Sequence, residues 1–167
     1  MTVGVDMQTL LRADELGVRL EIVRGLPLWE AQPVVRHQRA IDRIRSTIQA
    51  APPTEEQDGG CVHLAEVYVR FPDGSLKRPD ISLFCREPDE EDEAIRMVPE
   101  AVIEVVSRGF EAKDLEIGPP FYLGQGVKDV VVFDPATLLV LHMQQKGVWR
   151  HTSPVALTFL CGCTCQV

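Results

Sequence analysis

The stretch Pro99–Ser107, PEAVIEVVS, places one carboxylate in the middle of a segment that otherwise resembles a buried strand. The β-branched residues around Glu104 favour a pleated environment that is enclosed on both faces. An ionised carboxylate in such a place costs on the order of several kcal/mol unless a cation pairs with it. A lysine, an arginine or a metal ion would meet this need.

Length and composition predict one soluble domain that spans residues 1–167. A chain of 167 residues can bury a substantial core, and the sequence contains no internal repeat and no linker. No apolar run approaches the roughly 20 residues of a membrane span, and the N-terminus lacks the layout of a signal peptide. We therefore expect a cytoplasmic protein that does not contact membranes.

The net charge of −8 argues against non-specific attraction to nucleic acid. Its distribution matters more than its sum, because six of the seven residues in the run 87–93 are acidic. Such a run is typical of a solvated loop. Most of the excess negative charge is thus predicted to lie in one loop, which leaves other faces free to be basic.

The chain contains five cysteines, an odd number that fits a reducing compartment better than a disulfide framework. Three of them lie in the tail Cys161–Cys165, where alternation would place them on one strand face. Zinc usually needs four ligands, and no second Cys or His pair is evident from the spacing. We expect the tail cysteines to be reduced and free of metal.

Hydrophobic patterning predicts an α/β fold with a central mixed, mostly antiparallel sheet flanked by helices. A hairpin is expected around Arg24–Gly25, followed by a helix of about 15 residues from Val35. Two long antiparallel strands should follow on either side of the turn 72–75, and further strands after residue 130. Between them, the segment 110–122 could be helical, with Gly118–Pro120 as an interruption.

A second acid offers a partner for the site at Glu104. Asp80 opens another apolar strand, ISLF, and two strands can bring their carboxylates together. Two converging carboxylates repel unless a cation lies between them, and a hard divalent ion bound at about 2.1 Å would resolve that conflict. Alternatively, Asp80 caps a turn and Glu104 pairs with an arginine, and spacing alone favours this second interpretation.

The order of these motifs resembles that of a known family. Apart from the two acids, the matching segments are LEIVRG at 20–25, His37, Ser107, Tyr122, GVK at 126–128 and VVVFDP at 130–135. Together they are similar to the Uma-two (Uma2) family of the PD-(D/E)XK nuclease superfamily, from Leu20 to the C-terminus. The resemblance implies a restriction-endonuclease-like core.

The resemblance also implies a function, a divalent-metal-dependent DNA endonuclease that hydrolyses phosphodiester bonds. Asp80 and Glu104 would hold Mg²⁺ or Mn²⁺, with the backbone carbonyl of Val105 as a third ligand and Glu21 at the edge of the site. DNA is then the expected partner, and a homodimer is expected because nucleases of this fold often cut both strands as dimers. No small-molecule cofactor is implied.

The catalytic lysine is where the sequence departs from the family pattern. The usual position two residues after the second acid is Val106, and the position that the family uses in the following helix is Gly118. We predict Lys113 as the catalytic lysine, although on an ideal helix it would point about 140° away from position 118. The alternative is a degenerate relative that binds DNA or a partner protein without cleaving.

The predicted helix from Val35 carries the candidate DNA contacts. Arg36, Arg39 and Arg43 share one face and could bind phosphates, with His37 beside them. A solvated helix face explains the three arginines equally well. Because His37 lies on the apolar stripe of the helix, a buried histidine that is hydrogen-bonded at the edge of the core is its main alternative role.

Overall fold

A computed structural model describes residues 6–30, 32, 34–50, 52–53, 55, 60–89, 93–111 and 113–167. The predicted loop at 87–93 falls partly outside these ranges. The described helices are α1 (Met7–Glu15), α2 (Val35–Ser46) and α3 (Gly118–Gly124), and a π-helical turn, Lys113–Ile117, precedes α3. The described strands are β1 (Leu20–Val23), β2 (Leu26–Trp29), β3 (Val62–Ala65), β4 (Val69–Arg70), β5 (Leu76–Lys77), β6 (Ile81–Phe84), β7 (Ala101–Val105), β8 (Asp129–Phe133), β9 (Leu139–Gln144), β10 (Gly147–Thr152), β11 (Ala156–Thr158) and β12 (Thr164–Gln166).

The central sheet has six strands in the order β10-β9-β8-β7-β6-β3. Strands β7 and β8 are parallel, and the chain between them crosses over through α3, while the other neighbours in this sheet are antiparallel. A second sheet has the order β2-β1-β5-β4, and β11 pairs with β12. The predicted mixed, mostly antiparallel architecture is confirmed.

The opening stretch forms β7, the strand that organises the core. Every residue of β7 is buried, as the run of β-branched residues predicts. Ile103 and Val105 pack on one side with Ile41 and Ile44 of α2. Val102 and Val106 pack on the other side with residues of α3 and β8. Glu104 is therefore enclosed between hydrophobic layers.

The local predictions for the first hairpin and for α2 are confirmed. Strands β1 and β2 pair through a turn in which Arg24 and Gly25 both have positive φ, 50° and 82°. Two successive positive φ angles are typical of the tight type I′ hairpin turn. Helix α2 begins at Val35 as predicted and buries His37 on its inner face. None of the described helices is long and apolar enough to cross a membrane.

The antiparallel pairing predicted around the turn 72–75 is confirmed, but the prediction that each strand is continuous is wrong. The first is divided into β3 and β4, and the second into β5 and β6, which lie in different sheets. The division occurs at Glu66, whose φ is 56°, and its backbone N–H lies within hydrogen-bonding distance of the carbonyls of Pro79 and Asp80. The left-handed conformation at Glu66 turns the chain out of one sheet and into the other.

The predicted interruption at Gly118–Pro120 is also wrong, because α3 begins there. Proline is well tolerated in the first turn of a helix, where its missing N–H needs no acceptor within the helix. The π-helical turn ends at Ile117, directly before the first residue of α3. Phe121 and Tyr122 are consequently buried beside Phe71, with ring centroids 5.3 and 5.7 Å from that of Phe71.

The expectation that the tail cysteines are reduced is wrong for Cys163. Cys61 and Cys163 are joined by a disulfide, although they are 102 positions apart in the sequence. Of the other cysteines, Cys85, Cys161 and Cys165 are free thiols. The sequence could not reveal the disulfide because the pairing depends on β3 and the turn before β12 meeting in space.

Candidate active site

Asp80 lies immediately before β6, beside β7. Strands β6 and β7 pair with Ile81 opposite Ile103, so their predicted adjacency is confirmed and continuing the register brings Asp80 next to Glu104. Asp80 Oδ2 accepts a hydrogen bond of 2.7 Å from the backbone N–H of Val105 and lies 3.2 Å from His37 Nε2. The Asp80 carboxylate is thus fixed at the point where the two strands separate.

His37 projects from the buried face of α2 to this carboxylate. Burial lowers the pKa of His37, but the hydrogen bond and charge of Asp80, with the charges of Glu66 and Asp114, raise it more, so the net shift is upward. The imidazole therefore retains its proton to a higher pH than an exposed histidine does. This position agrees with the alternative of a buried, hydrogen-bonded histidine.

Glu104 is bound by Tyr122 of α3. The Tyr122 hydroxyl donates a hydrogen bond of 2.6 Å to Glu104 Oε1, and both residues are buried. Burial and the negative charges of Glu104 and Glu21 raise the pKa of Tyr122 well above its usual value. The hydroxyl consequently stays protonated at neutral pH and acts as a donor.

Behind this pair lies a buried ion pair between β1 and β5. Lys77 Nζ is 2.9 Å from Glu21 Oε2, and Glu21 Oε1 accepts the backbone N–H of Arg78 at 2.9 Å. The exposed fraction is 0% for Glu21 and 1% for Lys77. The Lys77 ammonium also lies 4.9 Å from the ring centroid of Tyr122. Lys77 therefore links Glu21 to the residue that binds Glu104.

Sequence reasoning missed Lys77. It lies three positions before Asp80, and its neighbours Leu76 and Arg78 do not distinguish it from an exposed strand lysine. Only the pairing of β5 with β1 shows that its side chain faces the interior. The available indication was Glu21, an acid inside the apolar strand LEIV that needs a buried cation of its own.

A small cleft with a volume of about 20 Å³ opens beside Asp80. His37, Val105, Ser107 and Asp114 are among the residues that line it. The backbone N–H of Ser107 donates to Asp114 Oδ2 at 3.1 Å, which ties the end of β7 to the π-helical turn. The cleft is large enough to give water access to Asp80, and Glu104 is not among the residues that line it.

Among the described residues, one group of three side chains has the composition and spacing of a cation site. One ligand atom each from His37, Glu66 and Asp80 can be chosen so that all three lie within 4.8 Å of one another. Ligand atoms that share one ion at about 2.2 Å are at most about 4.4 Å apart, so a shift of a few tenths of an ångström suffices. The donor set of two carboxylates and one imidazole therefore fits a divalent cation.

Glu66 was not predicted as a ligand, and it has other partners. Gln38 Nε2 donates to Glu66 Oε1 at 3.0 Å, and Arg19 Nη2 lies 3.4 Å from the same oxygen. A carboxylate has about four lone-pair positions, so these contacts leave capacity for a cation. No local pattern in the sequence indicated its role, because its position beside Asp80 depends on the contacts of its backbone N–H with the carbonyls of Pro79 and Asp80.

The catalytic lysine predicted from the sequence is Lys113. Lys113 opens the π-helical turn, but its side chain lies outside the described part of the structure. The two usual lysine positions hold Val106 and Gly118, and both are buried. Lys113 therefore stays a prediction, while Lys77 is a lysine whose described contacts reach the acidic residues.

The three predicted DNA-contacting arginines of α2 are exposed. Arg36, Arg39 and Arg43, here called the arginine face, line a groove with a volume of about 570 Å³ next to the turn between β8 and β9. His37, predicted with them, contacts Asp80 in the interior instead. The arginine face and the acidic cleft thus lie on different sides of the same helix.

These features together define the class of protein. The fold is similar to that of a crystal structure described as a putative nuclease belonging to DUF820 from Anabaena variabilis ATCC 29413. The TM-score is 0.63 at 20% sequence identity, and the match covers 83% of this chain and 80% of that chain. The chain therefore has a nuclease fold.

The family follows from the sequence match. The model of the Uma2 family, described as "Putative restriction endonuclease", matches residues 6–158, and the chain belongs to this family. No curated protein matches the sequence significantly. Family and fold together support a nuclease function.

Proposed function

We propose that this protein is a single-domain, divalent-metal-dependent DNA endonuclease that hydrolyses phosphodiester bonds at the cleft beside Asp80. The observation that carries the proposal is the convergence of His37, Asp80 and the end of β7 at one opening in a nuclease fold. This opening lies where β6 and β7 separate, and the backbone phosphate would bind at its mouth.

Two sets of residues could hold the cation, and both include Asp80. The resemblance implies Glu104 and the carbonyl of Val105, while spacing favours His37 and Glu66. When bound, the ion neutralises phosphate charge and lowers the pKa of the attacking water. The imidazole in the second set suits Mn²⁺ better than Mg²⁺, because Mg²⁺ prefers oxygen ligands.

The remaining residues act by holding groups in position. Tyr122 fixes Glu104, and Lys77 keeps Glu21 and the ring of Tyr122 in place while supplying positive charge to the acidic interior. Lys113 is the second candidate for the lysine role. The arginine face would bind the DNA backbone away from the reacting phosphate. A homodimer and a cytoplasmic location stay predictions.

One observation favours a second function, a binding module without catalysis. Both family positions for the catalytic lysine lack it, with Val106 and Gly118 in its place. In that case the arginine face would retain DNA binding, while Asp80 and Glu104 would serve only the fold. The two functions differ in whether a metal ion produces cleavage.

The test is cleavage of supercoiled plasmid and of single-stranded DNA by the purified protein with Mn²⁺, Mg²⁺ or a chelator. We expect metal-dependent cleavage that is strongest with Mn²⁺ and is abolished by Asp80→Ala or Glu104→Ala. Asp42→Asn, an exposed acid on α2, is the matched control and should cleave as wild type does. Wild-type protein that binds Mn²⁺ calorimetrically yet cleaves neither substrate would favour the binding module.

The two ligand sets are separated by metal affinity rather than by cleavage. If His37 and Glu66 hold the ion, Glu66→Gln should weaken Mn²⁺ binding more than Glu104→Gln does. The opposite order would favour the set implied by the family resemblance. Lys113→Ala, compared with Lys77→Met, shows which lysine the cleavage rate depends on.

A further inference from the structure

The central sheet brings two distant cysteines side by side. Cys61 immediately precedes β3 and Cys85 immediately follows β6, and these strands pair with Val62 opposite Phe84. Continuing the antiparallel register by one residue places Cys61 opposite Cys85. The chain is close here, because a Cβ added at Gly60 would lie 2.7 Å from the carbonyl oxygen of Cys85. This edge of the sheet therefore offers two sulfurs at one point.

The turn between β11 and β12 supplies two more cysteines, Cys161 and Cys163. It is closed by backbone bonds from Phe159 to the Cys163 carbonyl, 2.9 Å, and from Gly162 to the Phe159 carbonyl, 2.8 Å. Gly162 has a φ of 92°, which suits glycine and lets Cys161 and Cys163 flank the turn. The Cys163 side chain faces the sheet edge, where its sulfur lies 3.7 Å from the Gly60 carbonyl oxygen.

The two pairs of cysteines contact each other. Cys163 forms the disulfide with Cys61, and their Cα atoms are 6.1 Å apart. The thiol of Cys85 is close enough to Cys161 to raise its pKa, after burial as the main cause. Each cysteine of the turn thus meets one cysteine of the sheet edge. The second pair that a zinc site requires, which the sequence did not reveal, is supplied by the fold.

We infer that in the reduced protein Cys61, Cys85, Cys161 and Cys163 hold one Zn²⁺ as a structural tetrathiolate site. Four thiolates in tetrahedral array are a common ligand set of structural zinc, with Zn–S bonds of about 2.3 Å. The Lys128 ammonium, which pairs with Glu100 at 2.9 Å, also has a favourable electrostatic interaction with Cys85 and Cys161. Zinc would join the central sheet to the C-terminal hairpin, as the disulfide does in the oxidised protein.

The disulfide-bonded protein is converted to the zinc-bound protein in two steps, reduction and metal binding. A dithiol reductant gives two electrons and two protons to the Cys61–Cys163 disulfide and itself becomes a disulfide. The four thiols then bind one Zn²⁺ and release four protons. The site is separate from the proposed nuclease cleft, because Asp80 and Cys85 lie at opposite ends of β6, about 17 Å apart along the strand.

The experiment measures metal in the wild-type protein purified under reducing conditions with added Zn²⁺. We expect one zinc per chain by elemental analysis and, after exchange with Co²⁺, the absorption bands of tetrahedral thiolate coordination. The exposed Cys85 should also be protected from alkylation while zinc is bound, and it should react once a chelator removes the zinc. Reduced wild-type protein without zinc and without the Co²⁺ bands would overturn the inference.

Variants locate the metal. Cys85→Ser and Cys161→Ser should each weaken zinc binding by more than about 100-fold, the upper limit for losing an outer partner of a ligand. Cys165→Ala and His37→Ala should retain one zinc per chain. Zinc that is lost in His37→Ala but kept in Cys85→Ser would place it at the acidic cleft and contradict the tetrathiolate site. Neither result depends on DNA cleavage, so failure here is distinct from failure of the proposed function.

Discussion

Lys77→Met tests the buried ion pair on which the interior of the candidate active site rests. The variant keeps the length and apolar stem of the side chain but removes its charge. Glu21, which has no exposed surface, then loses the ammonium at 2.9 Å and retains only its other contacts. Removing one partner of a buried pair costs about 3–5 kcal/mol, because the other charge is left uncompensated.

The size of this effect makes it measurable. A domain of this size is stable by about 5–15 kcal/mol, so Lys77→Met should lower the midpoint of urea unfolding substantially. Adding Glu21→Gln removes the negative charge that Lys77→Met leaves uncompensated, while the glutamine oxygen can still accept the hydrogen bond from the Arg78 N–H. The double variant should recover most of the loss, with a coupling energy of about 3 kcal/mol, near the top of the measured range.

The control is an ion pair of equal length at the surface. Lys128 Nζ also lies 2.9 Å from a carboxylate oxygen, that of Glu100, but the Lys128 side chain is 57% exposed. Lys128→Met should cost less than about 1 kcal/mol because water screens the pair. Urea unfolding of the oxidised proteins, followed by circular dichroism, compares the two. Equal losses for Lys77→Met and Lys128→Met would refute the argument from burial.

Three further predictions concern pH, DNA binding and the missing lysine. Burial raises the pKa of Asp129, but hydrogen bonds from His142, Gln144 and the Leu160 N–H lower it by more, so the net shift is downward. The stabilisation that Asp129 gives is therefore present above the pKa of the unfolded state and is lost as pH falls through the lower pKa of the folded state. Asp129→Asn should therefore lose less unfolding free energy than wild type on acidification, and equal losses would contradict this. Replacing the arginine face with alanine should reduce the salt dependence of DNA binding by about 0.9 in slope per lost phosphate contact, whereas Arg150→Ala, an exposed arginine of β10, should not. Val106→Lys should raise the rate of DNA cleavage about 100-fold by restoring a lysine on the strand face of Glu104, and an unchanged rate in a folded variant would show that this position does not reach the site.

The parts of the fold that the sequence could predict depend on local patterns. The run around Glu104 indicated a strand buried on both faces, and Arg24–Gly25 indicated a hairpin, because composition and turn chemistry act within a few residues. The division of β3 from β4 could not be predicted, since it depends on a left-handed conformation at Glu66. Glutamate has no strong local preference for that conformation, which is set by contacts to Pro79 and Asp80.

The residues of the candidate site likewise fall into those that the sequence could predict and those that it could not. The neighbouring positions of Asp80 and Glu104 followed from the order of two apolar strands and from a family resemblance. The contributions of Lys77 and Glu66 did not, because they depend on pairings between elements that are far apart in the chain. The error at Gly118–Pro120 has a different cause, since proline breaks a helix interior but begins a helix well, and the sequence did not show where the helix starts.

The structure also answers how Glu104 is accommodated in a strand that is buried on both faces. The Tyr122 hydroxyl donates to it at 2.6 Å, and the raised pKa of Tyr122 keeps that donor protonated. The hydrogen bond occupies one of about four lone-pair positions, so the carboxylate keeps capacity to contact a cation. Tyr122 thus acts as a positioning residue and not as a base, because it has no accessible ionised form near neutral pH. Glu104 is held in place by a neutral donor, and this support does not depend on whether a metal ion is bound.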